Sequence, residues 1–476
     1  MDADEFRRLG HQLVDWIADY REHIAALPVM SRARPGDIRA RLPKEPPQKG
    51  GALGDALKTL PNEILPGITH WNHPAFFAYF PSNSSYASIL GDLLSAGLGA
   101  QGMSWQTSPA VTEVEEVVMD WLRQMLGLPE TFTGVIHDTA STATLCALLC
   151  ARERKAAFAQ NRQGMQGGEA PLVVYTSDQS HASVAKAALL AGFGTAYLRV
   201  VASDENNALI PEQLEAAIEA DLAAGLRPCV IAATTGTTAT TAVDPIAALV
   251  AIAERYGVWL HVDAALAGTA MVLPELRFLW EGVEKADSLV LNPHKWMGVG
   301  FDFSAYFVRD PQHLIRVMST NPSYLRTQED GQVKNFRDWH IQLGRRFRAL
   351  KLWFYLLDVG VEGLQARIRR DLRNALWLKE QVDQTPGWER LAPVPLQTVC
   401  VRHKPEGITD EAALSRHNHA LVKAINEGGL AYLTPSDVKG KTLIRVSIGA
   451  ETTEEAHVVA LWRLMQETAT RLSGSP

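Results

Sequence analysis

One lysine, Lys295, follows the apolar run Leu289-Val290-Leu291 in the segment Asn292-Pro293-His294-Lys295-Trp296. Such a run reads as a buried strand, and the turn after it presents an amine beside an imidazole. Burial disfavours the ammonium form and leaves the amine nucleophilic, which Schiff-base chemistry needs. A solvated surface lysine is the plainer alternative for this segment taken alone. A second strand-like run, Val258 to Val262, delivers Asp263 one strand–helix–strand step earlier. On adjacent parallel strands the two residues share a sheet edge. Capping a turn or helix is the ordinary role of an aspartate after a strand. Its chemical alternative is to keep a pyridine nitrogen protonated, which makes the ring an electron sink. Carboxylate and Schiff-base lysine together meet the needs of pyridoxal phosphate chemistry.

That cofactor also needs a cup of donors for its phosphate. Val135 to Thr142 leads into the helical run Ala143 to Arg154, and Thr139, Ala140 and Ser141 stand at its start. Small hydroxyl residues there offer backbone N–H groups to an anion, and a simple N-cap is the alternative. Thr234-Thr235-Gly236-Thr237-Thr238 is a second hydroxyl-rich turn after a strand. His181 follows the strand ending near Thr176 and suits either a flat ring or an ordinary structural hydrogen bond. Two look-alikes are set aside. Gly440-Lys441-Thr442 resembles the end of a phosphate loop, but Pro435 stands where the first glycine belongs. His70 and His73 have metal-compatible spacing, but Pro74 follows and no carboxylate or thiol completes a set, so no metal is expected.

The elements that must position these residues follow from the pattern. Leu172 to Thr176, Val230 to Thr234, Val258 to Val262 and Ser288 to Leu291 are short apolar runs. Helical stretches, Pro211 to Ala224 and Pro245 to Tyr256, separate them. That alternation predicts an α/β domain on a buried, mostly parallel sheet. Phe6, Leu9, Leu13, Ile17, Tyr20 and Ile24 predict an amphipathic first helix, followed by the loop-like stretch Leu42 to Gly51. That helix must bury its face on a partner subunit or on its own body. A helix over Gly360 to Val382, strands at Gln397 to Arg402 and Thr442 to Ser447, and a last helix near Thr453 to Leu472 predict a small α+β domain. The expected organisation is a helical segment over 1–84, a large domain over 85–350 and the small domain over 351–476.

The chain has 476 residues, 46% hydrophobic and 21% charged, ample for a large core. Its formal charge of −7 gives no footprint for nucleic acid or an anionic membrane. Cys146, Cys150, Cys229 and Cys400 are expected to pack in the core. An acidic amino terminus without an apolar leader, and no spanning segment, lead to an expected cytoplasmic location.

In this order the residues resemble the group II pyridoxal-phosphate decarboxylases, and within them the aromatic-L-amino-acid decarboxylases. The motifs are Thr139-Ala140-Ser141, His181, His261-Val262-Asp263-Ala264-Ala265 and Asn292-Pro293-His294-Lys295-Trp296. His73 to Pro81, Ser108-Pro109-Ala110 with Thr112-Glu113, and Leu343 to Arg348 extend the resemblance over nearly the whole chain. It implies the type I, aspartate-aminotransferase-like fold in a homodimer with shared sites, its N-terminal segment clasping the partner. Lys295 would carry the cofactor, Asp263 would pair with its ring nitrogen and His181 would stack on its ring. Thr139, Ala140, Ser141, Thr238, Asn292 and His294 would hold the phosphate end, with Ala265 also against the cofactor. Trp71, Tyr79, Phe80, Pro81 and Ser82 match the family's substrate-pocket stretch, and Gln101 and Met103 match positions reaching in from the partner.

Tyr324, ahead of a polar stretch containing Gly331, matches a lid tyrosine that protonates the substrate α-carbon after carbon dioxide leaves. Relatives with phenylalanine there tend to release an aldehyde, ammonia and peroxide. The implied activity is therefore decarboxylation of an aromatic L-amino acid to its amine. An aldehyde synthase or transaminase on this scaffold and an inactive cofactor-fold binding protein are the rivals. Leu266 stands where many relatives have tyrosine, and His137-Asp138-Thr139 replaces a Gln-Gly-Ser stretch. Gly344 resembles the glycine of indole-accepting plant relatives, which tilts the expectation towards an indole or broad aromatic substrate.

Overall fold

The structure, a computed structural model, describes residues 1–51, 53–166, 170–320, 328–329 and 331–473. Tyr324 lies outside the described residues. Two compact units are present. One comprises Met1–Pro81, Glu380–Glu389 and Val401–Pro476, and the other Ser82–Lys379 and Arg390–Cys400. The first and last segments of the chain thus belong to one unit.

The larger unit is built on a seven-stranded sheet. Its strands are β1 (Thr133–His137), β2 (Leu172–Ser177), β3 (Leu198–Val201), β4 (Arg227–Thr234), β5 (Trp259–Asp263), β6 (Ser288–Leu291) and β7 (Ser304–Val308). They lie in the order β1-β7-β6-β5-β4-β2-β3. The pairs β2–β3, β2–β4, β4–β5 and β5–β6 are parallel, whereas β7 runs antiparallel to both β6 and β1. β1 therefore points the same way as β6. Every residue of β2, β5, β6 and β7 is buried, as the uninterrupted apolar runs require of a sheet covered on both faces. Cys146 and Cys150, on the helix Ala140–Lys155, pack with Val174, Val230, Trp259 and Val290 in one core cluster. All four cysteines are free and buried, and burial pushes the Cys146 and Cys229 thiols up to about 12.

The helix expected over Gly360 to Val382 is part of a longer one, Ala349–Gln384. Gly360 breaks its regularity at φ 65°, a backbone state that glycine adopts without penalty. β1, β3 and β7 lay outside the expected strands. β7 is the strand that turns the edge of the sheet, and its reversal carries no local sequence mark.

The smaller unit contains the amphipathic helix Ala3–His23 and the last helix Glu455–Ser473, and a second sheet of four strands is ordered β10-β11-β9-β8. Its strands are β8 (Trp388–Arg390), β9 (Thr398–His403), β10 (Thr434–Val438) and β11 (Lys441–Ser447). Lys439 and Gly440, both at positive φ, form the tight turn of the β10–β11 hairpin, and Lys441 and Thr442 are the first residues of β11. His70 Nδ1 lies 2.7 Å from the Tyr20 hydroxyl, and His73 Nδ1 accepts the Ala75 N–H at 2.9 Å. Among the described residues no helix is long and apolar enough to cross a membrane.

Candidate active site

The carboxyl ends of β1, β2, β4, β5 and β6 share one edge of the sheet, and the residues singled out by type arrive there strand by strand. β5 ends in Asp263, opposite Thr234 of β4 and Val290 of β6. Its side chain is buried, and Oδ1 accepts the Ala265 N–H at 3.0 Å. β6 runs into the turn Pro293–Met297, which carries Lys295. The ends of these two strands are fastened together: Ala264 N–H donates to Val290 O and Asn292 N–H to Ala265 O, both at 2.9 Å. Asp263 and Lys295 thus leave adjacent parallel strands at one edge.

The Lys295 turn is held from several sides. Its own N–H donates to Asn292 O at 2.9 Å, and Asn83 Nδ2, next to Ser82, donates to Lys295 O at 3.0 Å. Gly298 ends the turn at φ 98°, and a Cβ there would meet the Tyr355 ring at 3.1 Å, so both backbone and space demand glycine. His294 is buried, and its Nδ1 accepts the Phe303 N–H at 3.0 Å. That bond places the ring proton on Nε2, where it is a donor. Burial, with Lys295 adding to it, lowers the His294 pKa to about 3 and keeps the ring neutral.

A helix start lies at the end of β1. His137 pairs with Ser304 of β7, and the Ser304 hydroxyl is hydrogen-bonded to Asn292 Oδ1, which ties β1's end to that of β6. Thr139 caps the helix Ala140–Lys155 from extended backbone, φ −137°, without turning its own side chain onto the helix N–H groups. Ser141 is exposed. A sixteen-residue helix therefore opens at this edge with first-turn N–H groups not closed by the cap side chain, the arrangement that receives an anion. After β4, Gly236 turns at φ +83°, and a Cβ there would meet the Ala267 Cβ at 2.6 Å. The following Thr238 is exposed. After β2, His181 caps the helix Ala182–Leu190. Its Nδ1 accepts the Ser183 N–H at 3.2 Å, and its ring is exposed.

The donor set fits pyridoxal phosphate: a helix start and hydroxyls for the phosphate, a buried carboxylate for a ring nitrogen, and an amine one strand away. Sequence reasoning gave no role to Glu115 and Arg345, an ion pair 2.6 Å long with both side chains 1% exposed. They meet across 230 positions of sequence, a distance over which no local signal reaches. Gln101 and Gly344, expected near the substrate, are neighbours. Gln101 Oε1 accepts the Arg345 N–H at 3.3 Å, and a Cβ on Gly344 would lie 3.7 Å from Gln101 Nε2. Met103 O accepts the Arg337 N–H at 3.0 Å.

In the smaller unit Trp71 and Tyr79 stack with ring centroids 5.6 Å apart, and the Tyr79 and Tyr432 hydroxyls lie 3.3 Å apart. Tyr79 sits at φ 49°, where Thr434 Oγ1 accepts its N–H and Arg445 Nη2 donates to its carbonyl. The Arg445 guanidinium lies over the Phe80 ring, and Pro81 is buried. Held at both peptide groups in a strained backbone state, Tyr79 packs against Trp71 and Tyr432 and still leaves 48% of the residue exposed.

Residues 35–404 match the pyridoxal-dependent decarboxylase conserved domain. The chain is 42% identical to tryptophan decarboxylase TDC2 of Camptotheca acuminata, over 99% of this chain and 96% of that protein. It is also 42% identical to a phenylacetaldehyde synthase of Arabidopsis thaliana, over 99% of this chain and 97% of that one. The crystal structure of Oryza sativa TDC with PLP and tryptamine superposes with a TM-score of 0.95 at 36% identity, covering 99% of both chains.

Proposed function

The chain belongs to the pyridoxal-dependent decarboxylase family, and from that premise we propose that it converts an aromatic L-amino acid to the amine and carbon dioxide. The observation that carries this reading is the shared edge: Asp263 at the end of β5 and Lys295 in the turn after the adjacent parallel strand β6, at the same sheet edge as the helix start at Thr139. Bound there, pyridoxal phosphate supplies an electron sink for the pair left behind when the carboxylate departs. Lys295 anchors it through its amine. The Asp263 carboxylate, shielded from water, holds a proton on the ring nitrogen. Thr139, Ala140, Ser141, Thr238, Asn292 and the Nε2–H of His294 would hold the phosphate, and Ala265 and His181 would flank the ring.

Trp71, Tyr79, Phe80, Pro81 and Ser82 receive the aromatic side chain, with Gln101, Met103 and Gly344 setting its size. Tyr324 returns a proton to the α-carbon, His181 assisting, and the amine leaves. Similarity to tryptophan decarboxylases, and the absence of a side chain at Gly344, favour an indole or broad aromatic substrate.

The working form we infer is a homodimer. On the helix Tyr86–Leu98, Tyr86, Leu90, Leu93, Leu94 and Leu98 form one exposed apolar face, and the first helix exposes Phe6, Leu13 and Val14. Water-exposed stripes of this kind are what a second copy covers. Gln101 and Met103 directly follow the first of these helices, which suits residues that complete a partner's site. Four buried free thiols suit the reducing cytoplasm.

A second reading is favoured by one observation, the equal identity to a phenylacetaldehyde synthase: oxidative release of an aldehyde, ammonia and peroxide. The test is a product screen of the purified protein with added pyridoxal phosphate against the aromatic amino acids and histidine, with Lys295→Ala as control. Amine equal to carbon dioxide, without peroxide, supports the proposal. Aldehyde with peroxide supports the second reading. No carbon dioxide from any amino acid, or an unchanged visible cofactor band in Lys295→Ala, overturns the assignment.

A further inference from the structure

β1 is the outer strand of its sheet, paired with β7 on one side only. An outer strand leaves main-chain groups without a ladder partner. At Ile136 those groups are taken by side chains. The Ile136 N–H donates to Glu115 Oε1 and its carbonyl accepts from Arg345 Nη2, each at 2.9 Å. Glu115 and Arg345 are themselves paired at 2.6 Å and shielded from water. One ion pair thus grips both peptide groups of a residue three positions before Thr139. The Arg345 main chain extends the grip, since its carbonyl accepts the Gly102 N–H at 3.0 Å and its N–H donates to Gln101 Oε1.

Stability alone is a poor reason for such a pair. Desolvating two charges offsets most of their attraction, and apolar replacements of both partners are often neutral. Arg345 Nε and Nη1 are also buried with no hydrogen-bond partner among the described residues, and the Phe336 ring, 4.7 Å from the guanidinium carbon, offsets only part of that cost. The pair's distinctive output is geometric. It fixes the position and tilt of the last peptides of β1, and hence the point at which the helix Ala140–Lys155 begins.

We propose that Glu115 and Arg345 are positioning residues for the phosphate end of the cofactor, acting through Ile136 on the turn of Thr139, Ala140 and Ser141, in which the Thr139 N–H donates to Asp138 Oδ1 at 2.7 Å and the N–H groups of Ala140 and Ser141 open the helix. The proposal rests on the reading of those three residues as the phosphate cup. It separates phosphate affinity from ring affinity. The cofactor's ring contacts at Asp263 lie on β5, which does not pair with β1.

The experiment compares pyridoxal phosphate with pyridoxal, which lacks the phosphate, by titrating the dialysed full-length protein. In Glu115→Gln/Arg345→Met the Kd for pyridoxal phosphate rises roughly tenfold, as expected for a slackened rather than a removed site, and that for pyridoxal does not change. The unfolding midpoint of the cofactor-free protein stays close to the parent's. Arg345→Lys keeps the charge but loses the guanidinium fork, so it shows the same selective loss even where the double variant folds poorly. Equal weakening of both ligands, or of neither, overturns the proposal. Ser141→Ala and Thr139→Val test the cup itself. If they leave the ratio of the two constants unchanged, the cup reading falls. If they change the ratio and Arg345→Lys does not, only the positioning proposal falls.

Discussion

The indole Nε1 of Trp296 donates to Asp371 Oδ2 at 2.8 Å, and both side chains are wholly buried. Trp296 is the residue after Lys295, so the long helix Ala349–Gln384 holds the lysine turn through this bond and through Arg367 Nη2, which donates to the Trp296 carbonyl. Asp371 is also bracketed by Arg367 and Arg370, at 3.6 and 3.3 Å. Burial raises its pKa, and the two arginines oppose the rise. Removing the donor leaves the carboxylate with its cations. Removing the carboxylate takes a buried anion away from two partly buried guanidinium groups. Trp296→Phe should therefore cost about 1–3 kcal/mol, and Asp371→Ala about 3–5 kcal/mol. Chemical denaturation of the two variants checks the order. A Trp296→Phe loss as large as that of Asp371→Ala would show the indole to be the main anchor.

Acid should destabilise the fold through histidines. His137 and His261 are fully buried, and burial pushes the pKa of each down to about 4. His261 is held neutral between Ser288 Oγ at 2.9 Å and Thr144 Oγ1 at 3.3 Å. Unfolded, each titrates near 6.5. Below that pH the unfolded chain binds protons that the folded chain refuses, so stability is full above about 6.5 and is lost as pH falls towards 4. Each ring contributes up to about 3 kcal/mol of that loss. Urea midpoints measured from pH 7 to pH 4.5 should fall steadily, and His261→Asn should flatten the slope. A midpoint independent of pH over that range would refute the neutral-buried assignment.

Leu93 lies at the centre of the exposed face of the helix Tyr86–Leu98 and is 51% exposed. Burying a leucine fully against a partner is worth about 1.5–3 kcal/mol, and a carboxylate in its place cannot be buried unpaired. Leu93→Asp should halve the mass seen by sedimentation and remove activity in the same step if the sites are shared. A variant of unchanged mass would place the subunit contact elsewhere.

Lys295, Asp263 and the Thr139 turn were legible because each is announced locally, by an apolar run ending in a reactive or hydroxyl residue. The parallel alternation then put them on one edge. What escaped was what distant segments decide. β7 reverses direction with no mark in its sequence. Ile136 is gripped by Glu115 and Arg345 from far along the chain. The first segment joins the last because the Phe77 N–H donates to Tyr432 O and the Ser447 N–H to Phe77 O, both at 3.0 Å. Periodicity reports which face of an element is buried, and not what covers it.

On the proposed reading the outcome of the reaction turns on Tyr324, which lies outside the described residues. Carbon dioxide leaves before the α-carbon regains a proton, so the residue that supplies this proton selects the product without controlling the first step. A phenol, with an ordinary pKa near 10, can give its proton to a developing carbanion, whereas a phenyl ring has none to give. Without that proton the electron pair left at the α-carbon would instead reduce oxygen by two electrons to peroxide, and water would hydrolyse the resulting imine to aldehyde and ammonia. Tyr324→Phe should therefore keep carbon dioxide release while amine yield falls and peroxide per carbon dioxide rises. A general acid is worth about 10²–10⁴ in the step it serves, so the ratio of products should invert rather than drift. Amine yield equal to that of the parent, measured by chromatography alongside a peroxide assay, would remove Tyr324 from the mechanism.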